Sequence, residues 1–465
     1  MAKQPLGDVV VLLPGILGSV LSRDGKQVWA PSAGAVGRAL WTLGRSVTSL
    51  ELHDDPWEQD ELGDGVEAPR LVDGVHLIPG FWSIDVYGGI TRMITETFGV
   101  IPGETYLEFP YDWRRDNRVA ARKLQRLIDE KLHAQRQRNP DAKVILIGHS
   151  MGGLIARWYL ECLGGWQDAR ALITFGTPHR GSLNAADFLV NGFVKKLGPL
   201  KVADLSQLLR SLTSVYQLLP IYPCVDVGAG NQRVAEVDLR GVDRVRARSA
   251  LFDFHRAIET AVGQRPPNAY ALHSVVGITQ GTKQSARLED DRLVMLQSFD
   301  GEDMRGDGTV PRVSATPIET DDDEPAYQPM YSSEVHGSLQ IAEAVQTQLL
   351  GILTARRPVG FRGGRGIALE AAELLAVDEP LAVQALPDAA GLTLRASAVD
   401  LATGRPAASV VLARDADEVH TGELPPLPAG DYRVRVEGID LSAPLADPVH
   451  SLLCVVDDAP PADEP

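Results

Sequence analysis

Cysteine is scarce: Cys162, Cys224 and Cys454 are the only three in 465 residues. Three widely separated thiols build neither a disulfide framework nor a zinc site, and this usage fits a reducing, cytoplasmic setting. Long apolar runs are missing too. No stretch of 18 apolar residues occurs, so no membrane-spanning helix is expected. The longest run near the start, Val9–Leu13, meets Pro14-Gly15 at once and has no small-residue cleavage site. It reads as a buried strand rather than a signal peptide. Basic charge is also short: 45 Lys+Arg against 62 Asp+Glu leave a formal charge of −17, which argues against a dedicated nucleic-acid binder. The last 110 residues hold 9 basic and 18 acidic side chains, and lysine is absent after Lys283. About half of the acidic excess is therefore C-terminal. H-x-H, H-E-x-x-H, G-x-G-x-x-G and phosphate-loop spacings are absent, so no metal, nucleotide or other cofactor is expected.

What is present is ordinary globular composition, 44% hydrophobic and 23% charged, in two textures. Up to about residue 355, short β-rich runs at 9–13, 106–109, 144–147, 171–175, 271–278 and 327–332 alternate with amphipathic helical patterns such as 115–132 and 339–353. That rhythm predicts a doubly wound, mostly parallel α/β sheet. Residues 183–268 interrupt it without a buried-strand run and are expected to form a cap over the sheet's carboxyl edge, where open α/β sheets bind ligands. In the cap, Leu205, Leu208, Leu209, Leu212, Val215, Tyr216 and Leu219 recur at helical spacing. The expected domain spans 1–356. Beyond the Gly/Pro-rich stretch at 356–366 the period becomes two, which predicts an antiparallel, Ig-like β-sandwich over 357–458, then a disordered tail at 459–465. A cut near Arg357 is expected to leave the first domain folded and active.

The chemistry starts at Gly-His-Ser-Met-Gly, residues 148–152, a G-x-S-x-G match. The string alone is weak, but a buried strand precedes it and a helix pattern follows. That setting puts Ser150 on a tight elbow at the top of the sheet. A serine hydroxyl needs a base, and the base needs an orienting acid. Six histidines follow Ser150. His420 and His450 lie in the β-rich tail, His255 lies in the cap, and His273 reads as a core residue inside a strand. His179 follows a strand and can line the site. His336, between the last strand and the last helix, is the best base. Asp307, in the turn Gly-Asp-Gly-Thr-Val-Pro at 306–311, is the best acid, with Asp303 and Glu302 as rivals; the charge run at 321–324 reads as a solvated loop. Two backbone amides must meet the oxyanion. Met151 supplies one, and Ile16, in Pro-Gly-Ile-Leu-Gly at 14–18, the other.

These strings, together with Pro-Tyr-Asp-Trp-Arg at 110–114, Phe-Gly-Thr-Pro-His-Arg-Gly at 175–181 and Ser-Val-Tyr-Gln-Leu-Leu-Pro at 214–220, occur in an order that resembles the lecithin:cholesterol acyltransferase family, which includes lysosomal phospholipase A2 and bacterial relatives. The resemblance covers about residues 7–355. It implies an α/β-hydrolase acting on lipid acyl esters, a triad of Ser150, Asp307 and His336, oxyanion donors Ile16 and Met151, and a lid over an acyl groove. Leu17, His149, His179 and Trp113 are the expected substrate contacts. Departures are the missing disulfides and signal peptide of animal members, and a C-terminal domain outside the resemblance. Peripheral membrane contact through the cap and a protein partner for the C-terminal domain stay open, as do a small-molecule carboxylesterase, a membrane-lipid-attacking effector and a binding protein without activity.

Overall fold

The computed structural model describes residues 3–29, 47–72, 76–78, 82–84, 87–197, 200–317, 329–354, 366–389, 391–416, 418–439 and 446–456. The charge run at 321–324, the start of the strand expected at 327–332, most of the Gly-rich stretch at 356–366 and the tail at 459–465 lie outside them.

Six parallel strands form the central sheet, in the spatial order Met330–Ser332, Ala271–Gly277, Ala169–Phe175, Val144–His149, Val9–Leu13 and Tyr106–Glu108. Val9–Leu13 and Val144–His149 are buried along their whole length, as strands covered by helices on both faces must be. The helix Asn117–Arg136 opens on Asp116, whose carboxylate accepts from the Arg118 amide, a side-chain cap for an otherwise orphaned donor. Met151–Cys162 follows the central strand directly and is buried almost throughout. Because all six strands run the same way, the loops after them meet at one edge. This is the parallel α/β arrangement expected from the strand–helix rhythm, and the α/β-hydrolase fold that the resemblance implies.

Between Ala169–Phe175 and Ala271–Gly277 the chain leaves the sheet and builds helices at Leu183–Val190, Ser206–Ser211, Thr213–Tyr216, Arg244–Ser249 and Arg256–Val262. The apolar pattern at 205–219 is two short helices rather than one. Leu212 between them is extended, with ψ of 124°, and this turn brings Leu205, Leu208, Leu209, Leu212, Val215, Tyr216 and Leu219 all into the core.

The C-terminal part forms two sheets. One holds Ile367–Ala371, Leu381–Pro387, His420–Leu424 and Ala413–Arg414; the other holds Leu374–Ala376, Val449–Val456, Gly430–Gly438, Leu394–Asp400 and Pro406–Val411. Leu381, Val383 and Leu424 of the first share a core with Leu394, Val434, Val436 and Leu453 of the second, which makes a sandwich. Pairing is antiparallel except for Leu374–Ala376, which runs parallel to Val449–Val456. No described helix is long and apolar enough to cross a membrane.

Candidate active site

Ser150 sits between strand and helix with φ 51° and ψ −123°, a backbone conformation that costs a residue with a side chain on the order of 1–3 kcal/mol. Its neighbours must be glycine for lack of space. A methyl group on Gly148 would fall 2.6 Å from Gly153 Cα, and one on Gly152 would fall 2.5 Å from Pro14 O. Ser150 is fully buried, and its Oγ has no hydrogen-bond partner among the described residues. The Ser150 amide donates to Phe175 O at 2.8 Å, and the Thr177 hydroxyl donates to Ser150 O at 2.9 Å.

His336 and Asp307 meet at the same edge. His336 Nδ1 lies 2.7 Å from Asp307 Oδ2, and the His336 amide donates to Asp307 O at 2.8 Å. The other carboxylate oxygen, Oδ1, accepts from the Thr309 and Val310 amides at 2.9 and 2.6 Å. Three donors thus hold an almost fully buried carboxylate in place. Gly176 has φ 54°, and a methyl there would fall 2.7 Å from Asp307 Oδ2 and 2.8 Å from His336 Nδ1. Ser150, His336 and Asp307 therefore converge on the Phe175–Gly176 step. The rival acids face elsewhere: Asp303 accepts from Gln284 Nε2 and the Arg305 amide, and Glu302 pairs through its backbone with Phe299.

The loop at 14–18 lies on the serine. A methyl on Gly15 would fall 3.0 Å from Ser150 Cβ, and Leu17 has φ 64°. Neither the Ile16 nor the Met151 amide has a hydrogen-bond partner among the described residues. The Pro-Tyr-Asp-Trp-Arg string braces this loop. Tyr111 Oη donates to Pro14 O at 2.8 Å, and Trp113 Nε1 donates to Ser19 O at 3.1 Å. Trp113 is fully buried and packs edge-on against Trp29; it supports the loop from below. Leu17, Ile16, His149 and His179 are buried as well. His179 Nε2 stands 3.5 Å from Thr174 Oγ1.

Sequence reasoning missed Tyr87. Its hydroxyl accepts from the Gly15 amide at 2.8 Å and lies 3.0 Å from His149 Nδ1. His149 Nε2 lies 3.2 Å from His336 O, and a carbonyl can only accept, so Nε2 carries the proton and Nδ1 accepts from Tyr87. Burial, with His336 alongside, holds His149 down to about 3, so it stays neutral and the wiring holds. One phenol thus links the loop at 14–18, through His149, to the backbone of His336. No local signal marks it, because its partners are 72 and 62 residues away.

Burial depresses other histidines too: His255 and His273 to about 4, and His179 well below its usual range. Unfolded, each takes a proton near pH 6.5. Between about pH 6.5 and 4 the unfolded chain therefore binds more protons than the folded one, and stability falls as pH falls. Each such histidine contributes up to about 1.4 kcal/mol per pH unit. Thermal melts should show the midpoint dropping steeply from pH 6.5 to 5; a flat profile across that interval would contradict neutral burial of this group. Among the described residues, no three or more His, Cys, Asp or Glu side chains come together in a way that could hold a metal ion.

The model of the lecithin:cholesterol acyltransferase family matches residues 85–242. An uncharacterized protein of Saccharomyces cerevisiae is 29% identical over 160 residues, 33% of this chain and 21% of that protein. Lecithin-cholesterol acyltransferase-like 4 of Arabidopsis thaliana is 26% identical over 245 residues, 45% of this chain and 42% of its own. The chain thus spans less than half the length of these curated relatives. Among solved structures, the mature form of Bacillus licheniformis lipase BlEst2 aligns at 12% identity and a TM-score of 0.35, covering 76% of this chain and 95% of that one.

Proposed function

We propose, from the match of residues 85–242 to the lecithin:cholesterol acyltransferase family model and the likeness to its Arabidopsis relative, that the chain is an α/β-hydrolase of that family and acts as a serine-dependent lipid acyl hydrolase or O-acyltransferase. The observation that carries this reading is Ser150 on its elbow at the edge where Asp307 and His336 meet at 2.7 Å. Asp307 accepts a hydrogen bond from the Nδ1–H of His336 and so fixes that tautomer, which leaves the Nε2 lone pair free for the serine's proton. Ser150 Oγ attacks the ester carbonyl carbon as its proton passes to Nε2. The oxyanion forms against the Ile16 and Met151 amides. Collapse breaks the C–O bond, and the leaving alcohol takes the proton from His336. Water or a second alcohol then gives its proton to His336 and attacks the acyl-enzyme, which releases the acid or a new ester and returns the serine.

The cap gives the reading its lipid side. Ser150 is covered, and the small apolar cavity beside it, lined by Ile16, Pro178, Ala185, Phe188, Val215 and Leu218, has room for about one water, ≈ 10 Å³. A long acyl chain enters only when this cover shifts, so the cap acts as a lid whose apolar residues meet lipid when it swings away. Phospholipid or a related acyl ester is the substrate class.

Two measurements test this. An active-serine phosphonate probe should label Ser150 and no other residue. Ester hydrolysis should favour long chains, rise well above proportionality once the substrate forms micelles, and shift from acid to ester product when an alcohol is added. Equal rates on short and long soluble esters, with no change at the aggregation threshold, would make the protein a small-molecule carboxylesterase without a lipid-responsive lid. No labelling at Ser150 would remove the enzyme reading altogether.

A further inference from the structure

His450 and Gln280 have no part in the mechanism above, yet both reach the segments that carry it. Glu334, two residues before His336, is buried and takes two hydrogen bonds from the C-terminal sandwich: the His450 amide donates to Oε2 at 2.9 Å, and His450 Nδ1 lies 2.8 Å from Oε1. Gln280 follows the strand Ala271–Gly277 and is equally buried. Its backbone pairs both ways with Gly306, the residue before Asp307, at 3.0 Å. Its side-chain amide donates to Ser333 O at 2.6 Å and to Ile367 O at 3.3 Å, and its Oε1 accepts from the Leu369 amide at 3.1 Å. The first C-terminal strand presses close here. A methyl on Gly366 would fall 2.5 Å from Thr279 Cγ2 and 2.9 Å from Ser333 Cβ.

We propose that the C-terminal sandwich is an intramolecular clamp that sets the positions of the acid turn at 306–311 and the base loop at 332–336, with His450 and Gln280 as its positioning residues. The physical reason is burial. A buried carboxylate or amide stays where its partners are, because moving it leaves polar atoms unpaired at a cost of about 1–3 kcal/mol each. Glu334 and Gln280 draw part of their partners from Ile367–Ala371 and Val449–Val456, so the loop bearing His336 is held from outside the α/β sheet. Gln280 ties the two loops to each other as well, since one residue bonds Gly306 through its backbone and Ser333 through its side chain. A chain ending near Arg357 would lose all four of these cross-domain hydrogen bonds. The clamp thus argues against the activity that the sequence leads one to expect of such a fragment. The proposal rests on the serine-hydrolase reading for its effect on rate, but not for its effect on the loops.

The test uses the full chain. His450→Ala removes the Nδ1–H donor, and His450→Asn restores an N–H in nearly the same place. Val434→Ala, in the fully buried sandwich core, destabilises the domain without touching the contact. His450→Ala should lower kcat on a short soluble ester by about tenfold, as small misplacements of catalytic groups do, with KM changed less than twofold. Amide exchange should quicken in the peptides covering 303–311 and 332–341. His450→Asn should return both readouts to within threefold of the parent, and Val434→Ala should lower Tm while leaving kcat in place. The proposal fails if His450→Ala leaves kcat and both exchange rates unchanged, or if Val434→Ala lowers kcat as much at an equal loss of Tm. Should the parent protein prove inert toward esters, the proposed function falls, and the exchange rates alone decide whether the clamp exists.

Discussion

Replacing Ser150 with alanine is expected to abolish ester cleavage, with kcat falling by about 10⁶, the scale seen when a triad loses its serine. The fold should survive intact. Alanine carries the same Cβ as serine at φ 51°, so the backbone strain is unchanged. The hydroxyl it removes has no hydrogen-bond partner among the described residues, so no bond is lost and a buried polar atom disappears. Tm should hold or rise slightly. The check is steady-state turnover on a chromogenic ester alongside a thermal melt. A variant retaining a tenth of the parent rate would exclude Ser150 as the nucleophile.

Asp307→Asn should cost less but still about 10⁴ in kcat at neutral pH. The geometry says why. Oδ1 accepts from two backbone amides, Thr309 and Val310, so an asparagine must place its carbonyl oxygen there. Its NH₂ then faces His336 Nδ1 in place of Oδ2, which lies 2.7 Å away in the parent. Nδ1 becomes an acceptor, the proton moves to Nε2, and the imidazole can no longer take the serine's proton. The backbone bond from His336 to Asp307 O remains, so the loop stays in place and the loss is one of tautomer rather than of structure. Turnover measurements with a folded-state control by circular dichroism distinguish the two. A loss below tenfold would assign the orienting role to another group.

Parts of this molecule are written locally and could be read from neighbours in the chain. Val9–Leu13 and the 144–147 run are uninterrupted apolar stretches, and only a strand covered on both faces uses such a stretch. The elbow at Ser150 is legible because glycines at 148 and 152 stand between a strand and a helix, and the structure shows backbone where their side chains would be. The period-two texture after residue 366 likewise announces a sandwich, and Leu381–Pro387 alternates buried and exposed positions accordingly. The partner of His336 is less legible: several carboxylates precede it in the chain, and only the glycine-flanked turn distinguishes Asp307, which the structure places 2.7 Å from His336 Nδ1.

The tertiary structure decided what depends on distance along the chain. The helical spacing at 205–219 suggests one continuous helix, yet the chain bends at Leu212 because both faces have a core to reach. Tyr87 has no motif around it; its importance comes from the Gly15 amide and His149, which folding alone brings near. His450 looked like a residue of a separate β-domain, and only the packed chain puts it on Glu334, 116 positions earlier. Hydrophobic period and turn chemistry act over a few residues and so determine elements. The pairing of buried polar atoms acts through space, and it settles which loops are held, by which partners, and therefore where a base or an acid comes to rest.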